Sequence, residues 1–331
     1  MNKDILKEYG DVLHDPSSIT EKPLKILSVS PKIDIALGGG VPEGSLFIMT
    51  GPEKVGKTVT ALAFCANAQE FKRKIYYANI EGRLKKRDIE GISGLNLEPE
   101  LMQIIGSTQG NILSAEKYLS IIDNIVHTQP ESIAVVDSFS ALSSESELTG
   151  NLEDVQVMSV QKILAKFCRR ISNVLPINKV TVVGITHLMA NIQKFGRAKS
   201  KVEKSGYALK YQVDVKLHAT HSEPLMQGDS QIGQTVNWQI MTSAIGPPGQ
   251  KVKSHIRYGN GIWKELELTD LLIDFGIIKK GGAWLTLPDE TKVQGKVNLA
   301  KHLEDNPDVY EELRGEIFSM VGIENETHKN T

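Results

Sequence analysis

The stretch Gly51-Pro52-Glu53-Lys54-Val55-Gly56-Lys57-Thr58 decides the reading of this chain. It has the form G-x-x-x-x-G-K-T, a loop whose backbone N–H groups wrap around phosphate. The apolar run 46–49 before it reads as a buried strand, and the alanine-rich segment 59–68 after it reads as a helix. Strand, loop and helix in that order are the context such a loop requires. The helix N-terminus then meets the phosphates, where its dipole favours negative charge. Lys57 is placed to reach the β- and γ-phosphates of ATP, and the Thr58 hydroxyl to ligate Mg2+.

Further apolar runs follow at 74–80, 133–136, 180–185 and 213–217, with helical patterns at 59–70, 115–126 and 155–174 between the earlier ones. Strands alternating with helices predict a parallel sheet with crossover helices. Strands at 235–243 and 251–258 come without a helix between them, so the sheet is expected to end in an antiparallel part. Beyond Trp263 the pattern changes to short helices, a hairpin around Gly281-Gly282 and a helix over 309–321. A short amphipathic helix over 3–13, with Ile5, Leu6 and Val12 on its apolar side, precedes a linker opened by Asp15-Pro16. The division expected is 1–28 (helix and linker), 29–262 (core) and 263–331 (small C-terminal domain).

Three of these strands end in a polar group. The run 133–136 ends in Asp137, the Walker-B position where an aspartate holds Mg2+ after a P-loop. The run 74–80 ends in Glu81, a carboxylate that can orient or deprotonate an attacking water. A solvated strand end accounts for such a glutamate equally well. The third ends in His187, which can sense a γ-phosphate and pass its presence to the following loop.

That loop, 188–206, carries Lys194, Arg197, Lys199, Lys201 and Lys204 against one acid, Glu203, with Ile192 and Phe195 among its few apolar side chains. Cations for phosphates and apolar groups for bases suit single-stranded nucleic acid, although a solvated charged loop has the same composition. An acidic loop at 143–154 leads into a helix with Lys162, Arg169 and Arg170.

The chain has 331 residues, 40% hydrophobic and 24% charged, the mix of a soluble globular protein with a substantial core. A formal net charge of -2 gives no global attraction to nucleic acid, so any such surface is a local patch. Cys65 and Cys168 lie in helical patterns without metal-ligand spacing and read as core packing in a reducing compartment. The stretch MNKDILKEYGDVL lacks the apolar segment of a signal peptide, and no run approaches a membrane span. A cytoplasmic protein with no membrane partner is expected.

Taken together, the chain resembles the bacterial RecA recombinases and, within that group, the shorter phage-type recombinases. The likeness runs from about Val29 to Val321 and rests on IDIALGGGVPEGSLFIMTGPEKVGKT (33–58), VVDSFSALSSESELTG (135–150), GYALKYQVDVKL (206–217), RYGNGI (257–262) and KKGGAW (279–284). The segment HLEDNPDVYEELRGEI also looks like the end of that family's core structure. The resemblance implies an α/β fold: a RecA-like P-loop ATPase core with a mostly parallel twisted sheet, a short N-terminal oligomerisation helix and a small α/β C-terminal domain.

Position by position, the resemblance makes Glu81 the catalytic glutamate and Asp137 the Walker-B aspartate. His187 stands where the family has the glutamine that links γ-phosphate to DNA binding. Segments 147–157 and 188–206 correspond to the two DNA-binding loops. Lys162 and Arg169 match positions that hold the DNA backbone. Ile192 falls where an apolar side chain wedges between base triplets, and Phe195 matches an aromatic of the same loop. Lys210 and Tyr211 match subunit-interface positions.

The implied partners are single-stranded DNA, homologous duplex DNA and further copies of the chain in a helical filament, in a bacterium or a phage-infected host. Three departures from the family stand out. Met241-Thr242-Ser243-Ala244 lacks the two lysines that reach ATP from the adjacent subunit. The adenine-stacking tyrosine is replaced near Arg87-Asp88. The second loop ends in Glu203-Lys204-Ser205-Gly206 in place of a Thr-rich, Gly-Gly ending. Rival readings are a ring-forming motor of the same fold and an ATP-binding filament that scarcely hydrolyses.

Overall fold

The computed structural model describes residues 10–17, 25–151, 159–190, 201–203 and 212–323. The strands are β1 (Ile26–Leu27), β2 (Val41–Pro42), β3 (Leu46–Gly51), β4 (Ile75–Asn79), β5 (Met102–Ile105), β6 (Ile133–Asp137), β7 (Thr181–Ala190), β8 (Lys201–Glu203), β9 (Val215–Gln227), β10 (Ser230–Thr242), β11 (Lys251–Arg257), β12 (Gly261–Ile262), β13 (Lys279–Gly281), β14 (Trp284–Thr286) and β15 (Lys292–Gln294). The longer helices are α1 (Pro31–Leu37), α2 (Lys57–Gln69), α3 (Ala115–Thr128), α4 (Ser159–Ile171), α5 (Lys264–Asp274), α6 (Lys296–Asp305) and α7 (Pro307–Met320).

The main sheet has the order β12-β11-β10-β9-β3-β7-β6-β4-β5, with β8 pairing on β7 outside that path. Every pair from β9 to β5 is parallel, and β9 to β12 are antiparallel. The fold is therefore the expected α/β core. Successive residues of a strand point to opposite faces. Phe47 and Met49 of β3 thus join a core with the buried face of α2, while Leu46 and Ile48 join a second core with α3 and α4. Both faces of β3 are covered, which is why 46–49 is an unbroken apolar run. Cys65 and Cys168 are buried in these two cores, and burial pushes both thiols up.

Several expectations need correction. Strand β9 continues ten residues past 217 and forms a long hairpin with β10 across Gly228-Asp229. Its outer half is exposed, so no apolar run marks it. β5 was not expected: as a four-residue edge strand with exposed Gln103 and Ile104 it has too little apolar periodicity to read. The expected loop at 143–154 contains a helical turn, Glu145–Thr149, capped reciprocally by Ser144 and Glu147. Residues 10–12 form a turn where the amphipathic helix was expected to end, and 1–9 lie outside the described residues.

From Lys264 onward, α5, α6, α7 and the small sheet β13-β14-β15 surround their own core, with Leu268, Leu272, Leu299, Leu303 and Ile317 at its centre. The turn between β13 and β14 is the expected Gly281-Gly282 hairpin. Polar groups tie this unit to the sheet. Buried Glu267 accepts hydrogen bonds from Ser254 Oγ at 2.5 Å and the Lys32 amide at 3.1 Å. Asp270 accepts from Lys32 Nζ at 2.5 Å and Lys296 Nζ at 2.6 Å, and pairs with His255 Nε2 at 2.8 Å. The described chain also holds a cavity of about 690 Å3 between the two units, bordered by Ser30, Tyr310 and Arg314, and it does not reach the P-loop.

Asp34 of α1 is fully buried beside this junction. It accepts hydrogen bonds from the Val29 amide at 2.8 Å and Ser28 Oγ at 2.5 Å. Burial pushes its carboxyl up to about 7, against the opposing pull of those two bonds and of Arg314. A raised folded-state pKa means the fold binds a proton that the unfolded chain releases. This contribution to stability is therefore complete below about pH 4 and is lost as pH rises through about 7. Asp34→Asn keeps an acceptor for Val29 but cannot ionise. Relative to wild type, the variant is expected to gain on the order of 3 kcal/mol between pH 4 and pH 8. Denaturant unfolding at the two pH values measures this, and a constant difference between the proteins would refute it.

Candidate active site

The P-loop conformation depends on its two glycines. Gly51 has φ +150° and a Cβ there would lie 2.6 Å from the Ala219 carbonyl oxygen. Gly56 has φ +105° and a Cβ there would lie 2.5 Å from Ile256 Cδ1. Both positions exclude a side chain on backbone and on space. Between them Pro52 is half-buried, Glu53 and Lys54 are exposed, and Val55 is anchored in the core at 3% exposure. Helix α2 starts at Lys57, and no side chain caps it, so its leading N–H groups are free for an anion.

Lys57 is buried, and its Nζ donates to the Gly51 carbonyl at 3.0 Å and to the Pro52 carbonyl at 2.5 Å. Burial pushes its ammonium down to about 8, while the negative charges of Asp137, Glu81 and Glu53 resist that shift. Its charge is thus balanced by one carboxylate of its own loop, Glu53, and by two at the ends of other strands, Asp137 and Glu81.

The parallel sheet brings those strands together, because their C-terminal ends lie along one edge. Gly51 is in register with His187, and Asn79 with Asp137. Asp137 Oδ2 accepts from Thr58 Oγ1 at 2.9 Å and from Tyr77 Oη at 2.6 Å. Burial raises the Asp137 carboxyl, and the two hydrogen bonds act against it. The next residue, Ser138, donates to Glu81 Oε1 at 2.8 Å. His187 Nε2 lies 2.7 Å from the same oxygen, and Arg83 Nη1 3.9 Å from Oε2. Burial would raise Glu81, but the bonds from Ser138 and His187 outweigh it and hold the carboxyl below its ordinary range. The His187 amide donates to Ser140 Oγ at 2.8 Å.

The structure brings Lys57, Thr58, Glu81, Asp137 and His187 together at one edge of the sheet. The oxygen donors Thr58 and Asp137 fit Mg2+, which takes one or two protein ligands together with phosphate oxygens. Sequence reading missed Tyr77, Ser138 and Ser140. Tyr77 sits at the same strand parity as Asn79, which faces Asp137, and that parity was the available signal.

Lys162 and Arg169 are both exposed on α4, away from its buried Leu164, Phe167 and Cys168. The expected loop 188–206 begins and nearly ends as strand: Leu188, Met189 and Ala190 of β7 pair with Glu203, Val202 and Lys201 of β8. Ile192, Lys194, Phe195, Arg197, Lys199, Lys204, Lys210 and Tyr211 lie outside the described residues.

The model of the RecA N-terminal domain matches residues 4–263, and that of the RecA C-terminal domain matches 266–322. Protein RecA of Streptomyces venezuelae is 30% identical over 312 residues, 92% of this chain and 79% of that protein. Protein RecA of Saccharopolyspora erythraea is 30% identical over 312 residues, 92% and 86% of the two chains. Protein RecA of Wolinella succinogenes is 29% identical over 311 residues, 92% and 87% of the two chains.

Lys57→Met removes the one buried ammonium of the loop and keeps its bulk. Charge-assisted bonds to phosphate are each worth about 1.5–3 kcal/mol. A roughly ten- to hundredfold loss of nucleoside triphosphate affinity is expected in a fluorescence titration. An unchanged affinity would place the phosphates elsewhere.

Proposed function

The chain belongs to the RecA family of recombinases, and from that premise we propose how its site works. The protein is an ATP- and Mg2+-dependent recombinase. It forms helical filaments on single-stranded DNA, pairs that DNA with homologous duplex and exchanges strands. The observation that carries the reading is the single site formed by the P-loop, Asp137, Glu81 and His187 at adjacent strand ends. We also read 1–28, 29–262 and 263–331 as the N-terminal, core and C-terminal units; separate apolar cores before and after Lys264 support the second boundary. No helix among the described residues is long and apolar enough to cross a membrane. The proposed setting is the cytoplasm of a bacterium or a phage-infected host.

Each residue has a task. The N–H groups of 51–58 and the Lys57 ammonium bind the triphosphate, with Lys57 exchanging loop carbonyls for phosphate oxygens. Thr58 and Asp137 hold Mg2+, which when bound offsets charge on the β- and γ-phosphates. Glu81 takes the proton from the attacking water; Ser138 and His187 hold its carboxyl ionised and below its ordinary range, so giving up those bonds makes it a stronger base.

Glu81 is held by Ser138 and His187. A γ-phosphate that draws His187 away releases Glu81. His187 lies on β7, and the next residue, Leu188, opens the ribbon with β8 at the base of the proposed second DNA loop. Strand β7 thus links the γ-phosphate to DNA contacts by Ile192, Lys194, Phe195, Arg197, Lys199, Lys201 and Lys204, with Lys162 and Arg169 on the DNA backbone. Lys210 and Tyr211 are proposed to meet the neighbouring subunit.

A second reading is favoured by one observation: Met241-Thr242-Ser243-Ala244 carries no cation. A site without charge supplied from the neighbouring subunit stabilises the transition state less. The filament would then bind ATP and turn it over slowly.

ATP hydrolysis measured with and without single-stranded DNA, with electron micrographs of the same samples, tests both readings. DNA-stimulated turnover with helical filaments is expected. Glu81→Gln is expected to lower turnover by about 100-fold or more, the usual scale of a general base, and to leave the filaments intact. Filaments without wild-type turnover would support the second reading, and rings would overturn both.

A further inference from the structure

Tyr77 is the least explained polar group near the site. It lies on β4 with no exposed surface, inside the apolar core that includes Phe47, Phe64 and Val135. A buried tyrosine hydroxyl is costly unless it is hydrogen-bonded. Here it donates to Asp137 Oδ2 at 2.6 Å, from one strand to its neighbour. Phenylalanine would fill the same space, so the hydroxyl has no packing role that the ring lacks.

Its target matters. Thr58 Oγ1 donates to the same oxygen at 2.9 Å. Two donors from different elements therefore converge on Oδ2, and the carboxylate cannot rotate without breaking both. Tyr77 belongs to a central strand with neighbours on both sides, β6 and β5, so its own position is fixed by the sheet. The same strand ends two residues before Glu81.

We infer that Tyr77 is a positioning residue for metal binding: its hydroxyl clamps Asp137 in the rotamer that receives Mg2+ with the nucleotide. The inference rests on the nucleotide site proposed above and deepens it. It predicts a residue that touches neither metal nor nucleotide yet sets the metal affinity, as partners behind a ligand commonly do. Supporting groups on rigid strands act by limiting the ligand's freedom.

The test uses full-length protein and a fluorescent, non-hydrolysable ATP analogue, titrated with Mg2+. Tyr77→Phe is expected to raise the Mg2+ concentration for half-maximal binding about tenfold or more, the usual cost of losing a partner behind a metal ligand. Affinity for the analogue in EDTA is expected to stay unchanged, which a loosened fold would not allow. The same change in an Asp137→Asn background is expected to add nothing, because the clamp then has no carboxylate to hold.

An unchanged Mg2+ requirement overturns the inference. So does an equal added loss in the Asp137→Asn background, which would assign Tyr77 to packing alone. Wild type that binds the analogue independently of Mg2+ would overturn the nucleotide reading itself, and this inference with it. Wild type with normal Mg2+ dependence and an unaffected Tyr77→Phe would leave that reading standing and remove only the clamp.

Discussion

A buried ammonium surrounded by carboxylates is the constraint on which this site depends. Lys57 is 4% exposed, and burial pushes its ammonium down to about 8. Asp137, Glu81 and Glu53 oppose that shift, and each comes from a different strand or loop. The sheet's register, which sets Asp137 and Glu81 beside the loop, thus supports the charge. The converse also holds: Asp137 and Glu81 are partly buried acids whose ionised forms depend on donors, namely Tyr77 and Thr58 for one, Ser138 and His187 for the other. Fold and site stabilise each other through these contacts. Neither cation nor carboxylates would be stable at this burial alone.

That mutual dependence explains which parts were legible in the sequence. The P-loop could be read because its chemistry is contiguous: glycines, lysine and threonine follow one another, flanked by a strand and a helix. Asp137, Glu81 and His187 could be read because each closes an apolar run, and parallel strands deliver their ends to one edge. The partners that tune them could not. Tyr77 and Asp137 are 60 residues apart and Ser140 and His187 are 47 apart, and each pair meets only through strand order. Strand order is a tertiary fact, and no local pattern encodes it.

The fold shows the same division. Buried strands were visible as apolar runs, whereas β5 and the outer half of β9 are exposed and lacked that signal. The helical turn at Glu145–Thr149 differs: Ser144 and Glu147 spell its capping box in the sequence, so the signal for it is local. The DNA-facing assignments rest on family likeness and on composition. Lys162 and Arg169 alone among them have described side chains, and their exposure on one helix is compatible with any polyanion.

His187 is where these strands of argument meet. Its side chain holds Glu81, its amide is held by Ser140, and its strand continues into the ribbon with β8. Ser138 precedes and Ser140 lies within the turn after Asp137, so a single segment joins Asp137, the glutamate and the histidine backbone. A change at any one of them must therefore be felt by the others through direct hydrogen bonds. A glutamine at this position could offer hydrogen bonds of similar reach. The histidine here reaches Glu81 through Nε2 at 2.7 Å. In this chain the group proposed to report the γ-phosphate and the group proposed to activate water are thus bound directly to each other.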